Sequence, residues 1–168
     1  GKVSYGSGGV GSPGHLGGEW LDYLTGSKMT HVPYREVSQL FTSVANGDPA
    51  WSFASLPSSQ GIYKSGKIRY IAVAAPKRIA QMPDVPTVAE AGGPAELDVN
   101  SFVSLLSPKG VDAAVRDKIR SDVVAVLQDP QVKEKFSTFA FQPMSFTVPE
   151  MQQFAKKKSE QYKLLIEK

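Results

Sequence analysis

Cysteine is absent from all 168 residues, which excludes disulfides, thiolate nucleophiles and cysteine zinc sites and leaves oxidising and reducing compartments equally open. No run approaches the eighteen or so apolar residues that a membrane-spanning helix needs. Histidine occurs only as His15 and His31, with no acid at a ligand-like spacing, so neither a metal nor a cofactor is expected. A serine hydrolase would need a base and an orienting acid around an exposed nucleophile, and Ser7 and His15 flank a loop with no evident third member. The chain opens on Gly1, without a methionine or a signal-like apolar segment, as expected of a processed or excised piece.

What is present is ordinary in amount and uneven in placement. With 41% hydrophobic and 21% charged residues, the composition is that of a globular protein able to bury a core. The whole formal charge of +3 comes from residues 109–168, with eleven Lys/Arg against eight Asp/Glu, while the first 108 residues carry eight of each. The basic residues are interleaved with glutamate, and no reading helix or aromatic-basic platform accompanies them, so nucleic acid is not an expected partner. Lys156–Lys158 reads as a solvated helix face.

The organising stretch is residues 2–24. Val3 and Tyr5 alternate as a strand, Gly6, Gly8, Gly9, Gly11 and Gly14 make a turn, and Leu16, Trp20, Leu21 and Leu24 follow at helical spacing. No charge lies between Lys2 and Glu19. Such a turn gathers free backbone amides, because glycine has no Cβ and the first helical turn leaves its own N–H groups unpaired. It lacks the Gly-Lys-Ser/Thr of a phosphate loop and the spacing of a dinucleotide fingerprint. Two readings remain: a small anion such as a carboxylate held by these amides with Ser7, Ser12 and His15, or a turn that only lets strand and helix pack closely.

Further strand–helix alternations follow. Residues 28–34 read as a strand, Val37, Leu40, Phe41 and Val44 as a helix stopped at Asn46-Gly47, residues 49–55 as a strand, and Leu56-Pro57-Ser58-Ser59 as the start of a third helix that Ser55 can cap. Residues 68–75 have the apolar density of a central parallel strand. Thr87 can cap a short turn of helix, and residues 97–106 read as another strand. An α/β layered domain is the expected result.

Beyond that, Val111, Val115, Ile119, Val123 and Leu127 mark an amphipathic helix. Asp129-Pro130 restarts a shorter one through Val132, Phe136 and Phe139. Residues 141–146 read as extended. Thr147 and Glu150 form a capping box for a last helix whose expected buried stripe is Met151, Phe154, Ala155, Tyr162, Leu165 and Ile166. These helices carry more apolar surface than they can bury on one another. Val115, Ile119, Phe136, Phe154 and Tyr162 are expected to stand exposed unless another chain covers them.

Several segments carry a resemblance: residues 5–12 (YGSGGVGS) with His15-Leu16, residues 31–35 (HVPYR), residues 56–59 (LPSS), and above all residues 82–92 (MPDVPTVAEAG), continuing through Leu106-Ser107-Pro108 and residues 127–130 (LQDP). Together they resemble the C-terminal portion of the tripartite tricarboxylate transporter solute receptors, the Bug family of extracytoplasmic binding proteins.

The resemblance implies a periplasmic-binding-protein-like (type II) α/β fold, with two hinged lobes closing on a small organic carboxylate that is passed to membrane permease subunits in the periplasm. It implies no catalysis. Residues 1–98 would form the second lobe, and residues 99–168 would supply a return strand and C-terminal helices that pack on the first lobe, most of which is absent. Such a fragment could self-associate. The ligand residues implied are Ser7, Gly8, Gly9, Val10, Gly11, Ser12 and His15, with Tyr34, Arg35, Ala54 and Ser58 at the cleft edge. His31 is expected to be packed rather than in contact with ligand. Pro13-Gly14 replaces hydroxyl residues usual in the family, and Ala50 and Ala54 replace two acids. The loss at Ala54 favours an acid without an amino group. The alternative is a protein-interaction module that keeps the fold without a ligand.

Overall fold

In a computed structural model that describes residues 2–144 and 146–166, with side chains through residue 163, the chain forms two compact units. The first is Gly1–Ser101 with Ala155–Lys168, and the second is Phe102–Phe154.

The first unit begins with three strand–helix repeats: β1 (Ser4–Ser7), α1 (Pro13–Thr25), β2 (Thr30–Pro33), α2 (Val37–Ala45), β3 (Trp51–Ser52) and α3 (Leu56–Lys64). The strands pair in parallel in the order β2-β1-β3, with Ser7 opposite Pro33 and Gly6 opposite Ser52. Local chemistry sets the helix bounds. Ser12 caps α1 by accepting the His15 amide, Pro13 occupies its first turn, and Gly26 ends it at φ 67°. Gly47 and Gly66 take similar left-handed conformations just past α2 and α3.

Burial concentrates behind β1. Tyr5 is 0% exposed and stacks between His31 and Trp51, with centroids 5.1 and 5.3 Å away. Leu40, Phe41 and Leu97 complete the buried apolar set. Helix α1 reaches this core through Gly17 and Gly18, its two buried residues. A Cβ on Gly18 would run into the Tyr5 ring, and one on Gly17 would stand 2.6 Å from Val99 Cγ1. Two absent methyl groups therefore fix how close α1 lies to the sheet.

Two expected strands do not form. Residues 68–75 make only an isolated bridge, Val73 to Thr87, and Ile71 is 62% exposed. Residues 97–106 pair with nothing among the described residues, leaving Val103 at 94% and Leu106 at 85% exposure. Both runs have strand composition, but a strand needs a neighbour to take its backbone groups, and the described sheet ends at β3. The MPDVPTVAEAG run closes on itself instead. Arg78 Nε donates to Glu90 Oε2 (2.8 Å), Thr87 N donates to the same oxygen (2.7 Å), and Glu90 N donates to Thr87 Oγ1 (3.1 Å).

The second unit holds α4 (Ala113–Gln128), α5 (Pro130–Thr138) and the start of α6 (Val148–Ile166). The restart at Asp129 and the Thr147–Glu150 capping box are in place: Asp129 accepts from Gln131 N and Val132 N, and Thr147 and Glu150 exchange bonds; Asp112, not singled out from sequence, caps α4 by accepting from Ala114 N. No residue of α4 or α5 is buried. Val115 and Ile119 are exposed as expected. Phe136, Phe154 and Tyr162 are half-buried instead, with Phe154 against Phe102 and Phe146 and Phe136 against Phe141.

Helix α6 also departs from its expected stripe. Ala155 is exposed, while Lys158, read from sequence as part of a solvated face, is buried. Its ammonium donates to Asp98 Oδ2 at 3.0 Å, and the carboxylate makes burial of the charge tolerable. The side chains of Leu165 and Ile166 lie outside the described residues, as does Ser145 in the run expected to be extended.

Candidate functional site

Parallel pairing gives one sheet edge a special character, because every strand there hands over to a helix N-terminus. Gly8 follows β1, Tyr34 and Arg35 follow β2, and Phe53-Ala54-Ser55 follow β3, so the starts of α1, α2 and α3 gather at the same carboxyl edge. None of the three helices has an acid in its first turn. Helices α2 and α3 begin at Glu36 and Ser55 without a side-chain cap bond. The edge is therefore rich in amide dipoles that point outward.

The glycine-rich turn forms its centre. Gly9 and Gly11 take φ 114° and 79°, and Ser12 N donates to Gly9 O at 3.2 Å to close the turn. Among the described residues the Gly8 and Val10 amides have no partner, and a Cβ built on Gly8 would meet nothing within 4 Å. Val10 is 80% exposed. These two amides can be offered to an anion.

Ser7 has a different role from its neighbours. It is 1% exposed, and its hydroxyl donates to Gly9 O (3.0 Å), accepts from Gly9 N (3.2 Å) and lies 2.6 Å from His31 Nε2. Gly9 and His31 together fill the bonding capacity of Ser7 Oγ, and the direction of the His31 bond follows from the imidazole tautomer. The short Ser7–His31 distance does not make a nucleophile, since the hydroxyl is enclosed and out of reach of a substrate.

His15 faces the loop from α1. Its Nδ1 accepts from Gly11 N at 3.1 Å, which places the ring proton on Nε2, 3.8 Å from Glu19 Oε1. The His15 and His31 rings lie 4.1 Å apart. Burial, and then the neighbouring His15, hold the His31 imidazole below the ordinary histidine range. Beneath them the Tyr5 hydroxyl donates to Glu19 Oε1 at 2.7 Å, and burial followed by that carboxylate holds the phenol far above the ordinary tyrosine range.

The remaining sequence candidates fall on the same edge. Tyr34 N donates to Ser7 O at 2.9 Å, and Tyr34 OH donates to Asp48 O at 3.3 Å. Arg35 and Ala54 are exposed. Ser58 Oγ donates to Ser55 O at 2.9 Å and accepts from Ser55 Oγ at 2.8 Å, work that belongs to the start of α3. His31 is packed, as its position ahead of Pro33 suggested. Sequence reasoning missed Tyr5 and Glu19 as supports of the loop; the only available signal was Glu19 standing one helical turn beyond His15. No cluster of three metal-ligating side chains occurs among the described residues.

The model of a family described as "Tripartite tricarboxylate transporter family receptor" matches residues 1–168. A Cupriavidus necator protein named for the gbd 5' region is 29% identical over 168 residues, covering 100% of this chain and 50% of its own. Among solved structures, an R. palustris protein with adipate superposes with a TM-score of 0.86 at 26% identity, over 99% of this chain and 55% of that one. A second, described as a periplasmic transporter, is 36% identical with a TM-score of 0.77, over 98% of this chain and 54% of that one. The chain spans about half the length of the relatives it matches. Its architecture is the mixed α/β fold of these periplasmic-binding-protein-like structures, present in part.

Proposed function

Because this chain belongs to the tripartite tricarboxylate transporter receptor family, we propose that it is part of a non-catalytic receptor that binds a small carboxylate at the carboxyl edge of the β2-β1-β3 sheet. The observation that carries the reading is the pair of unpartnered amides, Gly8 and Val10, beside the starts of three helices with no acid in their first turns. Amides and dipoles in this arrangement attract an anion. The adipate of the R. palustris relative points to a dicarboxylate, and the exposed Ala54 offers nothing to an amino group.

In this reading Gly8–Ser12 and His15 face the ligand, and Tyr34, Arg35 and Ser58 stand at its margin. Ser7 contributes by shaping the loop. Residues 1–98 act as the second lobe of the receptor and residues 99–168 serve the first. The second carboxylate of the ligand then meets groups that this chain does not supply. The site works in the periplasm and passes its solute to permease subunits, and the exposed apolar face of α4 favours self-association of the isolated chain.

Calorimetric titration with adipate, malate and aromatic monocarboxylates tests the proposal. Saturable binding of at least one dicarboxylate is expected, together with its loss in Gly8→Val at an unchanged melting temperature, since that Cβ points into open space. No binding across the panel, or full binding by Gly8→Val, would overturn it.

A further inference from the structure

We propose that His15 is a proton-operated latch on the glycine-rich turn, so that carboxylate binding is coupled to uptake of one proton. The proposal deepens the carboxylate reading and rests on it for its ligand. Gly11 N donates to His15 Nδ1 at 3.1 Å, a bond that exists only while that nitrogen keeps its lone pair. A proton on Nδ1 turns the acceptor into a donor, breaks the bond and frees the Gly11 amide. It also leaves a positive charge beside Gly8, Val10 and Gly11. A third amide and a cation thus become available in a single step.

The groups around the ring decide where that proton goes. Glu19 Oε1 lies 3.8 Å from His15 Nε2, so a charged ring has a carboxylate beside it. His31, on β2, stacks against His15 at 4.1 Å and opposes a second charge. His31 is the poorer proton acceptor of the two, because it is packed on Tyr5 and burial, then the neighbouring His15, hold it below the ordinary histidine range. Tyr5, on β1, shares the Glu19 carboxylate through its hydroxyl and donates weakly to His15 O at 3.4 Å; it stays neutral. Asp22, one turn beyond Glu19 on α1, bonds Ser27 and Met29 N. A proton taken up by the pair therefore goes to His15.

The sign follows directly. The neutral ring occupies Gly11 and the charged ring releases it, so carboxylate affinity rises as pH falls, by at most about tenfold per pH unit for one linked proton. Adipate remains largely ionised between pH 8 and 6, so the ligand itself contributes little over that window.

Nuclear magnetic resonance on the 168-residue chain separates the two claims. Without ligand, the Gly11 amide is expected to follow the protonation of the His15 ring as pH is lowered, and to be flat in His15→Gln, whose side-chain oxygen accepts without taking up a proton. A Gly11 amide that ignores the His15 titration overturns the latch, whether or not adipate binds. With adipate, the Gly8 and Val10 amides should shift at severalfold lower concentration at pH 6 than at pH 8, and equally at both in His15→Gln. Equal affinity in the unaltered chain overturns the coupling. No response to adipate at either pH overturns the carboxylate reading, and the ligand-free titration still decides the latch.

Discussion

Helices α1 and α4 start from the same kind of instruction and end in different circumstances. Each opens on a capping side chain, Ser12 or Asp112, that accepts a backbone amide, and each carries a repeating apolar pattern. Helix α1 buries Gly18 against Tyr5 of β1 and Gly17 against Phe53 and Val99, whereas α4 buries nothing and leaves Val115, Ile119 and Val123 exposed. A helix can be specified by a dozen consecutive residues; its burial must be supplied by a surface from elsewhere in the fold. The contrast explains why the proposed carboxylate site lies in the first unit. Amides can be aimed only where the strand and helix that carry them are locked together.

The sharpest way to break this comparison is Gly18→Val, which drives a side chain into the Tyr5 ring. A loss of at least about 3 kcal/mol is expected in denaturant unfolding, followed through Trp20 and Trp51, both in the first unit. Tyr5→Phe should cost less, about 1–2 kcal/mol, as the buried ring stays and only the bond to Glu19 goes; an unchanged midpoint would mean that water replaces the hydroxyl freely.

A third difference depends on pH. Because the folded state holds the His31 imidazole below its unfolded value, the unfolded chain binds more protons through that range. The stability it contributes is present above the ordinary histidine range and is lost as pH falls through that range to the folded value. The first unit should therefore melt earlier at pH 5.5 than at pH 7.5, and His31→Gln should narrow the gap; the second unit contains no histidine and offers a flat reference. Last, Asp112→Ala should cost about 1 kcal/mol of local helix stability by circular dichroism and amide exchange, and Val115→Ser should fall within about 0.5 kcal/mol. A Val115→Ser penalty as large as that of Gly18→Val would show that α4 is covered in solution.

What could be read from the residues divides along the same line. Ser12 with Pro13, Asp129 with Pro130, and Thr147 with Glu150 declared their helix starts because the donors and acceptors lie within a few positions of one another. The glycine-rich turn was legible as a place for free amides for the same reason. Residues 68–75 and 97–106 misled, since their apolar density states a tendency to extend and says nothing about a neighbouring strand. The inner face of the site was equally hidden. Ser7 meets His31 across 24 positions and Tyr5 meets Glu19 across 14, pairings visible only once β2 lies beside β1 and α1 is folded back over it.

The Asp98–Lys158 ion pair carries one more consequence, about how the chain is written. Residues 60 apart in sequence are joined at 3.0 Å, and everything in Phe102–Phe154 lies between them, so the second unit stands as a parenthesis within the first. A chain in which those 53 residues, counted from 102 to 154, are exchanged for a short flexible linker has only a modest closure entropy to overcome, because the cost grows with the logarithm of loop length. The excised version should keep the Asp98–Lys158 pair, the buried Tyr5 and the glycine-rich turn. Evolution and protein engineering could then rewrite the bracketed text, and with it the partners of α4, without touching the sentence in which the carboxylate site is proposed.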